Sequence, residues 1–278
     1  MTGRGFRAMG TAWWVWCDRA DLLDGVPAGV AALEARLSRF RDGSALRRLQ
    51  RDGAVEDAVL AEVVRLALRM RDWSGGAFDP AVGSALVALG YDRDHRSLAD
   101  APAAPARPAP LALQVDVDGD VVTVRGPGAL DLGGIAKGWA VDQVHDALRQ
   151  QGAREILVDG GGDLRASGRR FAIGVGDDHA LPLSDGAIAT SSVSVRTWTD
   201  AAGRRLHHVI DPATALPAAS SVVTATVRAP DAATADALAT AILVRPDLLP
   251  RLGELSAAAW VVDRAGICWE TPSWGEAA

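Results

Sequence analysis

The chain has 278 residues, of which 49% are hydrophobic and 23% are charged, and its formal net charge is −6 at pH 7. These values are typical of a globular protein, and the negative charge argues against a general nucleic-acid-binding protein, which usually carries a basic stripe. No apolar run approaches the length of a membrane span, so we expect no membrane segment and a cytoplasmic protein.

The two cysteines, Cys17 and Cys268, each lie beside a tryptophan in an apolar stretch. They form no pair with the spacing of a metal site. Cysteine is among the most frequently buried residue types, so we expect two buried free thiols and no disulfide.

The first half of the chain predicts a strand, several helices and a hairpin. Alternating apolar residues predict a strand from Met9 to Cys17. Helical spacing of apolar residues predicts three helices: one with Val30, Leu33, Leu37 and Phe40 on its apolar side, one over residues 45–50, and one between Asp57 and Ser74. Residues 100–110, rich in Ala and Pro, predict an extended surface loop. Residues 115–117 and 121–124 predict a hairpin around Asp118-Gly119.

The second half mixes strands with two separated helices. Strands are predicted over residues 156–158, 164–167, 171–175, 187–190, 193–199, 206–210 and 222–228, followed by a final hairpin of residues 260–262 and 267–269. One helix carries Val141, Val144 and Leu148 and stops at Gly152, and an alanine-rich helix over residues 232–243 begins at Asp231. This order predicts an α+β fold and not a regular βαβ wrap.

Lys137 is the only lysine among the 29 basic residues of the chain. It follows Asp131-Leu132-Gly133-Gly134 and opens a predicted helix. Glycines let the backbone approach a ligand, and a helix start presents free N–H groups to an anion. A compact ammonium there suits a phosphate or carboxylate. The alternative is a loop capped by Asp131 with a solvated lysine on the first helical turn.

Asp236 and Thr240 are four residues apart on the last long helix, so their side chains share one face. A carboxylate and a hydroxyl are hard oxygen ligands that suit Mg²⁺ or Ca²⁺. The alternative is purely local, with the threonine hydroxyl bonded back along its own helix.

His207 and His208 precede Val209-Ile210-Asp211-Pro212. Adjacent residues of a strand face opposite ways, so at most one histidine faces a given site, where it could act as a general base. The alternative is two exposed histidines on an edge strand. The segment from Asp159 to Asp163, with three glycines, predicts a ligand loop or a bend between two strands, and it lacks the GxGxxG and P-loop patterns.

Taken in order along the chain, these motifs resemble the ApbE family, the FAD:protein FMN transferases. The motifs that carry the resemblance are Met9-Gly10-Thr11, Ser38-Arg39-Phe40, Ser44-Ala45-Leu46, residues 75–83, residues 131–138, Gly161-Gly162-Asp163, Ala189-Thr190-Ser191, residues 207–212 and residues 235–241. The resemblance implies a single two-lobed, T-fold-like α+β domain over residues 1–278. Its sheets would be largely antiparallel and flanked by helices, with an FAD cleft between the lobes.

The resemblance also implies the site residues. FAD would be lined by Met9, Ala77, Phe78, Asp79, Asp131, Lys137 and Ile210. Mg²⁺, with Ca²⁺ as the alternative, would be held by the side chains of Asp236 and Thr240 and the backbone oxygens of Gly134 and Ala239.

The activity that the resemblance implies is transfer of FMN from FAD to a Thr or Ser hydroxyl of an acceptor flavoprotein, with release of AMP. Lys137 and Mg²⁺ would stabilise the diphosphate, and His208 would remove the acceptor proton. Two alternatives are an enzyme that hydrolyses FAD to FMN and AMP, and a non-catalytic FAD-binding module.

Overall fold

The structure, a computed structural model, describes residues 3–93, 98, 111–176 and 179–275. Its helices are α1 (Val26–Leu37), α2 (Ala45–Asp52), α3 (Ala58–Trp73), α4 (Gly83–Ala88), α5 (Ala136–Gln150) and α6 (Ala232–Val244). Its strands are β1 (Arg4–Ala8), β2 (Thr11–Cys17), β3 (Ala54–Glu56), β4 (Gln114–Asp118), β5 (Val121–Arg125), β6 (Ile156–Asp159), β7 (Asp163–Ser167), β8 (Phe171–Val175), β9 (His179–Leu183), β10 (Gly186–Ser192), β11 (Thr197–Thr199), β12 (Arg205–His207), β13 (Ile210–Asp211), β14 (Leu216–Pro217), β15 (Val222–Ala229), β16 (Ala258–Asp263) and β17 (Cys268–Glu270). In this part of the chain, no helix is long and apolar enough to cross a membrane.

An eight-stranded sheet is the largest element of the fold, with the strand order β1-β2-β6-β7-β10-β15-β16-β17. Every strand pairing in the described residues is antiparallel. Helix α6 packs against β10, β15 and α5, and α5 packs against β6 and β7. The α+β prediction is therefore confirmed.

Helix α6 forms because its sequence is rich in alanine and begins at a good cap. The Asp231 side chain accepts a hydrogen bond from the Thr234 N–H at 2.7 Å, and alanine has the highest helix propensity. The small side chains let α6 lie close to its neighbours. At Gly138 of α5, an added Cβ would collide with the Ala232 carbonyl oxygen, so this crossing requires glycine. Ten of the thirteen residues of α6 are buried.

A buried carboxylate of α5 holds the first turn of α6. The Asp142 oxygens accept hydrogen bonds from the N–H groups of Ala232 and Ala233, both at 2.9 Å. Arg165 also lies 3.0 Å from Asp142 Oδ1. Burial raises the pKa of Asp142 to about 6, although the two N–H groups and Arg165 act in the opposite direction.

Two predicted strands are wrong because the backbone changes partner within each of them. Residues 193–199 are not one strand: β10 ends at Ser192, whose hydroxyl accepts a hydrogen bond from the Ser194 N–H at 3.2 Å, and β11 begins only at Thr197. Residues 206–210 divide in the same way, because His207 pairs with Thr197 while Ile210 pairs with Pro217.

Two further predictions are wrong and several elements were not predicted. Helix α1 ends at Leu37, so Phe40 lies beyond it and is 40% exposed. Cys17 is a buried free thiol as expected, but Cys268 is exposed because β17 is an edge strand. Strands β1, β3, β9 and β14, helix α4, and the 3₁₀ helices Ala20–Gly25 and Pro246–Leu255 were not predicted. Both predicted hairpins are confirmed, and the predicted loop over residues 100–110 lies outside the described residues.

The raised pKa of Asp142 predicts a pH dependence of stability. The folded-state pKa of about 6 exceeds the ordinary value of 3.8, so the stability that this carboxyl contributes is full below pH 3.8 and is lost as pH rises through 6. We expect the free energy of unfolding of the native chain, minus that of Asp142→Asn, to fall by about 1 kcal/mol between pH 5 and pH 7. Urea unfolding at each pH measures this difference. A difference that is constant or rises over this range would contradict the assignment.

Candidate active site

Lys137 lies in the first turn of α5, with its side chain 13% exposed. Its ammonium forms an ion pair with Asp163 Oδ2, and Asp163 is itself buried. Helix α5 and the turn before β7 therefore bring together two charges that are 26 residues apart in the sequence. The alternative of a solvated lysine on a capped loop is right about the loop, since Asp131 Oδ1 accepts the Gly133 N–H at 2.8 Å, but its solvated lysine is wrong, because Lys137 is largely buried and paired.

Asp236 of α6 is the third charged group of the cluster. It is 4% exposed, and the Gly138 N–H donates a hydrogen bond to its Oδ2 at 3.4 Å. Burial and the Asp163 carboxylate raise the pKa of Asp236, while Lys137 acts in the opposite direction. Burial by itself would lower the pKa of Lys137, but Asp163 and Asp236 together raise it. The Lys137 ammonium is thus paired with the Asp163 carboxylate and lies in the electrostatic field of the Asp236 carboxyl group.

Thr240 lies one helical turn beyond Asp236 and faces the segment of residues 131–134, which we call the glycine loop. A Cβ added at Gly134 would lie 3.1 Å from Thr240 Oγ1 and 3.2 Å from Phe78 Cε2, so these three residues meet at one point. The Ser191 hydroxyl lies 3.4 Å from that of Thr240. Glycine at 134 therefore lets the loop approach α6, as the sequence indicates for a ligand site.

Thr11, two residues after Met9, lies against the turn that precedes Asp163. Gly161 has φ +76°, and a Cβ there would collide with the Thr11 side chain, so the turn lies directly against the segment that follows Met9. Met9 itself has φ +50°, an uncommon conformation for a residue with a side chain. The Asp159 carboxylate fixes the turn by accepting hydrogen bonds from the Gly161 and Gly162 N–H groups at 2.7 and 3.0 Å.

The segment that contains Ala77, Phe78 and Asp79 is joined to the glycine loop through its backbone. The Asp131 N–H donates to the Pro80 carbonyl oxygen at 2.7 Å. Ala77 and Phe78 are buried, and the Asp79 carboxylate accepts from the Ala81 N–H at 2.8 Å. Burial raises the pKa of Asp79.

Asp131 is held by an arginine that the site prediction did not include. Arg39 Nε lies 2.6 Å from Asp131 Oδ2, and both side chains are largely buried. The Arg39 guanidinium also lies over the rings of Phe40 and Tyr91, 4.1 and 4.6 Å from their centroids. Arg39 belongs to the Ser38-Arg39-Phe40 motif, and that motif was the sequence signal for it.

His208 and Ile210 lie on the segment that runs from β12 into β13, with His208 half-buried. Ile210 is buried in a separate apolar cluster that also contains Tyr91 and Trp198. His207, the neighbour of His208, has its Nε2 3.1 Å from the Ala218 carbonyl oxygen, and burial lowers the pKa of His207. His207 is therefore occupied by a backbone contact, and the expectation of two exposed histidines is wrong.

A second group of polar side chains resembles a nucleophile with its base. His145 Nε2 lies 2.8 Å from the Ser167 hydroxyl, and His145 Nδ1 lies 2.9 Å from Asp146 Oδ1. His145 and Ser167 are only 1% and 3% exposed, so a substrate has no access to them. We interpret this group as a satisfied polar contact between α5 and β7.

The residue types of Asp236 and Thr240 suit a hard divalent cation. The described residues include no group of three or more His, Cys, Asp or Glu side chains arranged to hold a metal. A site here would need the Thr240 hydroxyl and the carbonyl oxygens of Gly134 and Ala239 beside the Asp236 carboxylate, which are the ligands that Mg²⁺ and Ca²⁺ accept. Asp163 Oδ1 is buried without a hydrogen-bond partner in the described part of the chain, so the cluster has an unused acceptor.

Comparison with known proteins places the chain in a family. The family model described as "ApbE family" matches residues 9–252. A FAD:protein FMN transferase of Treponema pallidum is 34% identical over 245 residues, covering 76% of this chain and 67% of that relative. A FAD:protein FMN transferase of Vibrio cholerae is 30% identical over 230 residues, covering 75% of this chain and 69% of the relative.

Two solved structures share the fold of this chain. The crystal structure of the ApbE protein of Thermotoga maritima has a TM-score of 0.86 to this chain at 26% identity and covers 99% of both chains. The flavin transferase ApbE of Vibrio cholerae has the same fold, with a TM-score of 0.79 at 24% identity over 98% of this chain and 97% of its own. From the family match and these relatives, we conclude that the chain belongs to the ApbE family.

Proposed function

We propose that this chain transfers FMN from FAD to a Thr or Ser hydroxyl of an acceptor flavoprotein and releases AMP. The observation that carries the proposal is the buried cluster of Lys137, Asp163 and Asp236, with Thr240 one turn away on α6. A cluster of this kind suits a diphosphate with a cation, and the curated relatives are named FAD:protein FMN transferase.

FAD is proposed to lie in a cleft between two lobes of one domain that spans residues 1–278. The residues proposed to line it are Met9, Ala77, Phe78, Asp79, Asp131, Lys137 and Ile210. Two contacts support this grouping: Phe78 meets Gly134 and Thr240, and the Asp131 backbone is bonded to Pro80.

A divalent cation, Mg²⁺ with Ca²⁺ as the alternative, is proposed to be held by Asp236, Thr240 and the carbonyl oxygens of Gly134 and Ala239. When bound, it neutralises charge on the phosphate oxygens of the substrate. The burial of the Asp163 and Asp236 carboxyl groups, and the Asp163 Oδ1 that has no hydrogen-bond partner among the described residues, support this assignment.

The transfer is a displacement at one phosphorus atom of FAD. The acceptor hydroxyl oxygen bonds to the phosphorus of the FMN half, the bond from that phosphorus to the bridging oxygen breaks, and AMP leaves with that oxygen. His208 is proposed to take the hydroxyl proton, and the Lys137 ammonium to face the diphosphate as negative charge develops. Phosphoryl transfer of this kind depends mainly on positioning and charge stabilisation.

The acceptor and its location remain part of the proposal. The protein is proposed to be cytoplasmic, as the sequence predicts. Its acceptor would then be cytoplasmic or exposed to the cytoplasm. Cell fractionation followed by detection of the native protein tests this expectation.

We expect AMP release from FAD and Mg²⁺ only when a protein with a Thr or Ser acceptor is added, together with an FMN mass increment on that residue. Chromatography of the nucleotides and mass spectrometry of the acceptor measure both products. AMP release without an acceptor would favour hydrolysis. FAD binding without any AMP would favour a non-catalytic module.

Removing a proposed cation ligand should shift the Mg²⁺ dependence of transfer. We expect Asp236→Asn and Thr240→Ala each to raise the Mg²⁺ concentration for half-maximal transfer at least about tenfold, because each removes a hard oxygen ligand. Asp231→Asn is the matched control, since Asp231 caps the same helix outside the cluster. A Mg²⁺ dependence that is equal in all four proteins would rule out these ligands.

Loss of the proposed base should slow transfer. We expect His208→Ala to lower kcat by ~10²–10⁴-fold, because one general base contributes about that much. We also expect it to remove the fall of kcat at acidic pH that protonation of the base causes. His207→Ala is the matched control: it removes the neighbouring imidazole, which contacts the Ala218 carbonyl. A His208→Ala variant with the wild-type rate at every pH would remove this role.

A further inference from the structure

Asp163 is the acidic residue of the site that the proposed function does not use. It follows the turn of Gly161 and Gly162, is the first residue of β7, and is 1% exposed. The Gly160 N–H donates to its carbonyl oxygen at 2.8 Å, which fixes its backbone. The position of its side chain is therefore set by the sheet and not by a mobile loop.

The two carboxylate oxygens of Asp163 have different surroundings. Oδ2 forms the ion pair with the Lys137 ammonium. Oδ1 is buried and accepts no hydrogen bond from any described residue. A buried carboxylate oxygen without a donor costs free energy, so a native structure that keeps one usually has a partner for it in another state of the protein.

The first turn of α5 holds both carboxyl groups of the cluster. The Lys137 ammonium pairs with Asp163 Oδ2, and the N–H of the next residue, Gly138, donates to Asp236 Oδ2 at 3.4 Å. Oδ1 of Asp163 is the acceptor that these contacts leave unused in the described part of the chain. A carboxylate oxygen is a hard ligand, so a divalent cation beside Asp236 is a partner that suits it.

We propose that Asp163 is a second carboxylate of the cation site: Oδ2 orients the Lys137 ammonium, and Oδ1 supplies the negative charge and acceptor atom for the divalent cation beside Asp236. The inference rests on the cation site of the proposed function and adds a residue to it. It predicts that Asp163 acts on cation binding itself, before any nucleotide is present. A residue that served only to hold Lys137 would not do so.

The first test measures Mg²⁺ binding to the FAD-free chain by titration calorimetry. We expect Asp163→Asn, which keeps the shape and loses the charge, to weaken Mg²⁺ binding at least about tenfold, or about 1.4 kcal/mol. Asp159→Asn is the matched control, because Asp159 lies at the other end of the same turn and only fixes its N–H groups. We expect it to bind Mg²⁺ within about twofold of the native chain.

A second variant keeps the inference testable should Asp163→Asn fail to fold. Lys137→Met removes the cation that competes for the two carboxylates, so we expect it to bind Mg²⁺ at least about threefold more tightly without FAD. Native affinity in Asp163→Asn, unchanged or weaker binding in Lys137→Met, or a native chain that binds no Mg²⁺ without FAD would each overturn the role of Asp163. Transfer that proceeds equally well in EDTA would instead overturn the cation site of the proposed function.

Discussion

The ion pair between Lys137 and the buried Asp163, with the buried Asp236 bonded to the same turn of α5 through the Gly138 N–H, is the constraint on which the site depends. Lys137 reaches Asp163 from α5, while Asp236 comes from α6. Charges removed from water are costly unless they are paired. The cluster therefore requires that α5, α6 and the turn before β7 meet in one fixed arrangement.

Close packing between α5 and α6 provides that arrangement. Gly138 lets the backbone of α5 approach Ala232, and the same glycine donates its N–H to the buried carboxylate of Asp236. Asp142, one turn along α5, accepts the first N–H groups of α6. The residues that fix the helix crossing thus lie beside the residues of the site. Small displacements of α6 would move Asp236 and Thr240 together, because both project from it.

The substrate side of the site is supported by a second set of contacts. Arg39 holds Asp131 and lies over two aromatic rings, and Asp131 in turn accepts the Gly133 N–H at 2.8 Å. The glycine loop is therefore fixed at its start by an ion pair and at Gly134 by its approach to Phe78 and Thr240. A loop held at both points would require little reordering to bind the proposed nucleotide, which would lower the entropic cost of binding.

The sequence by itself determined the local elements and the order of the motifs. Alanine content and the Asp231 cap determined α6, apolar periodicity determined α3 and α5, and the resemblance in motif order indicated the family. Such features depend on neighbours within a few residues, so a linear pattern contains them. The sequence also indicated Lys137, Asp236 and Thr240 as candidate site residues, because their residue types and spacing suit phosphate and cation chemistry.

Only the tertiary structure decided which of these groups meet. No linear pattern pairs Lys137 with Asp163 or Arg39 with Asp131, because those contacts depend on how helices and sheet pack at long range. For the same reason, the sequence did not show where the strands predicted over residues 193–199 and 206–210 break, since each breaks where the backbone changes its partner. The exposure of Cys268 likewise follows from the position of β17 at the sheet edge, which residue type does not encode.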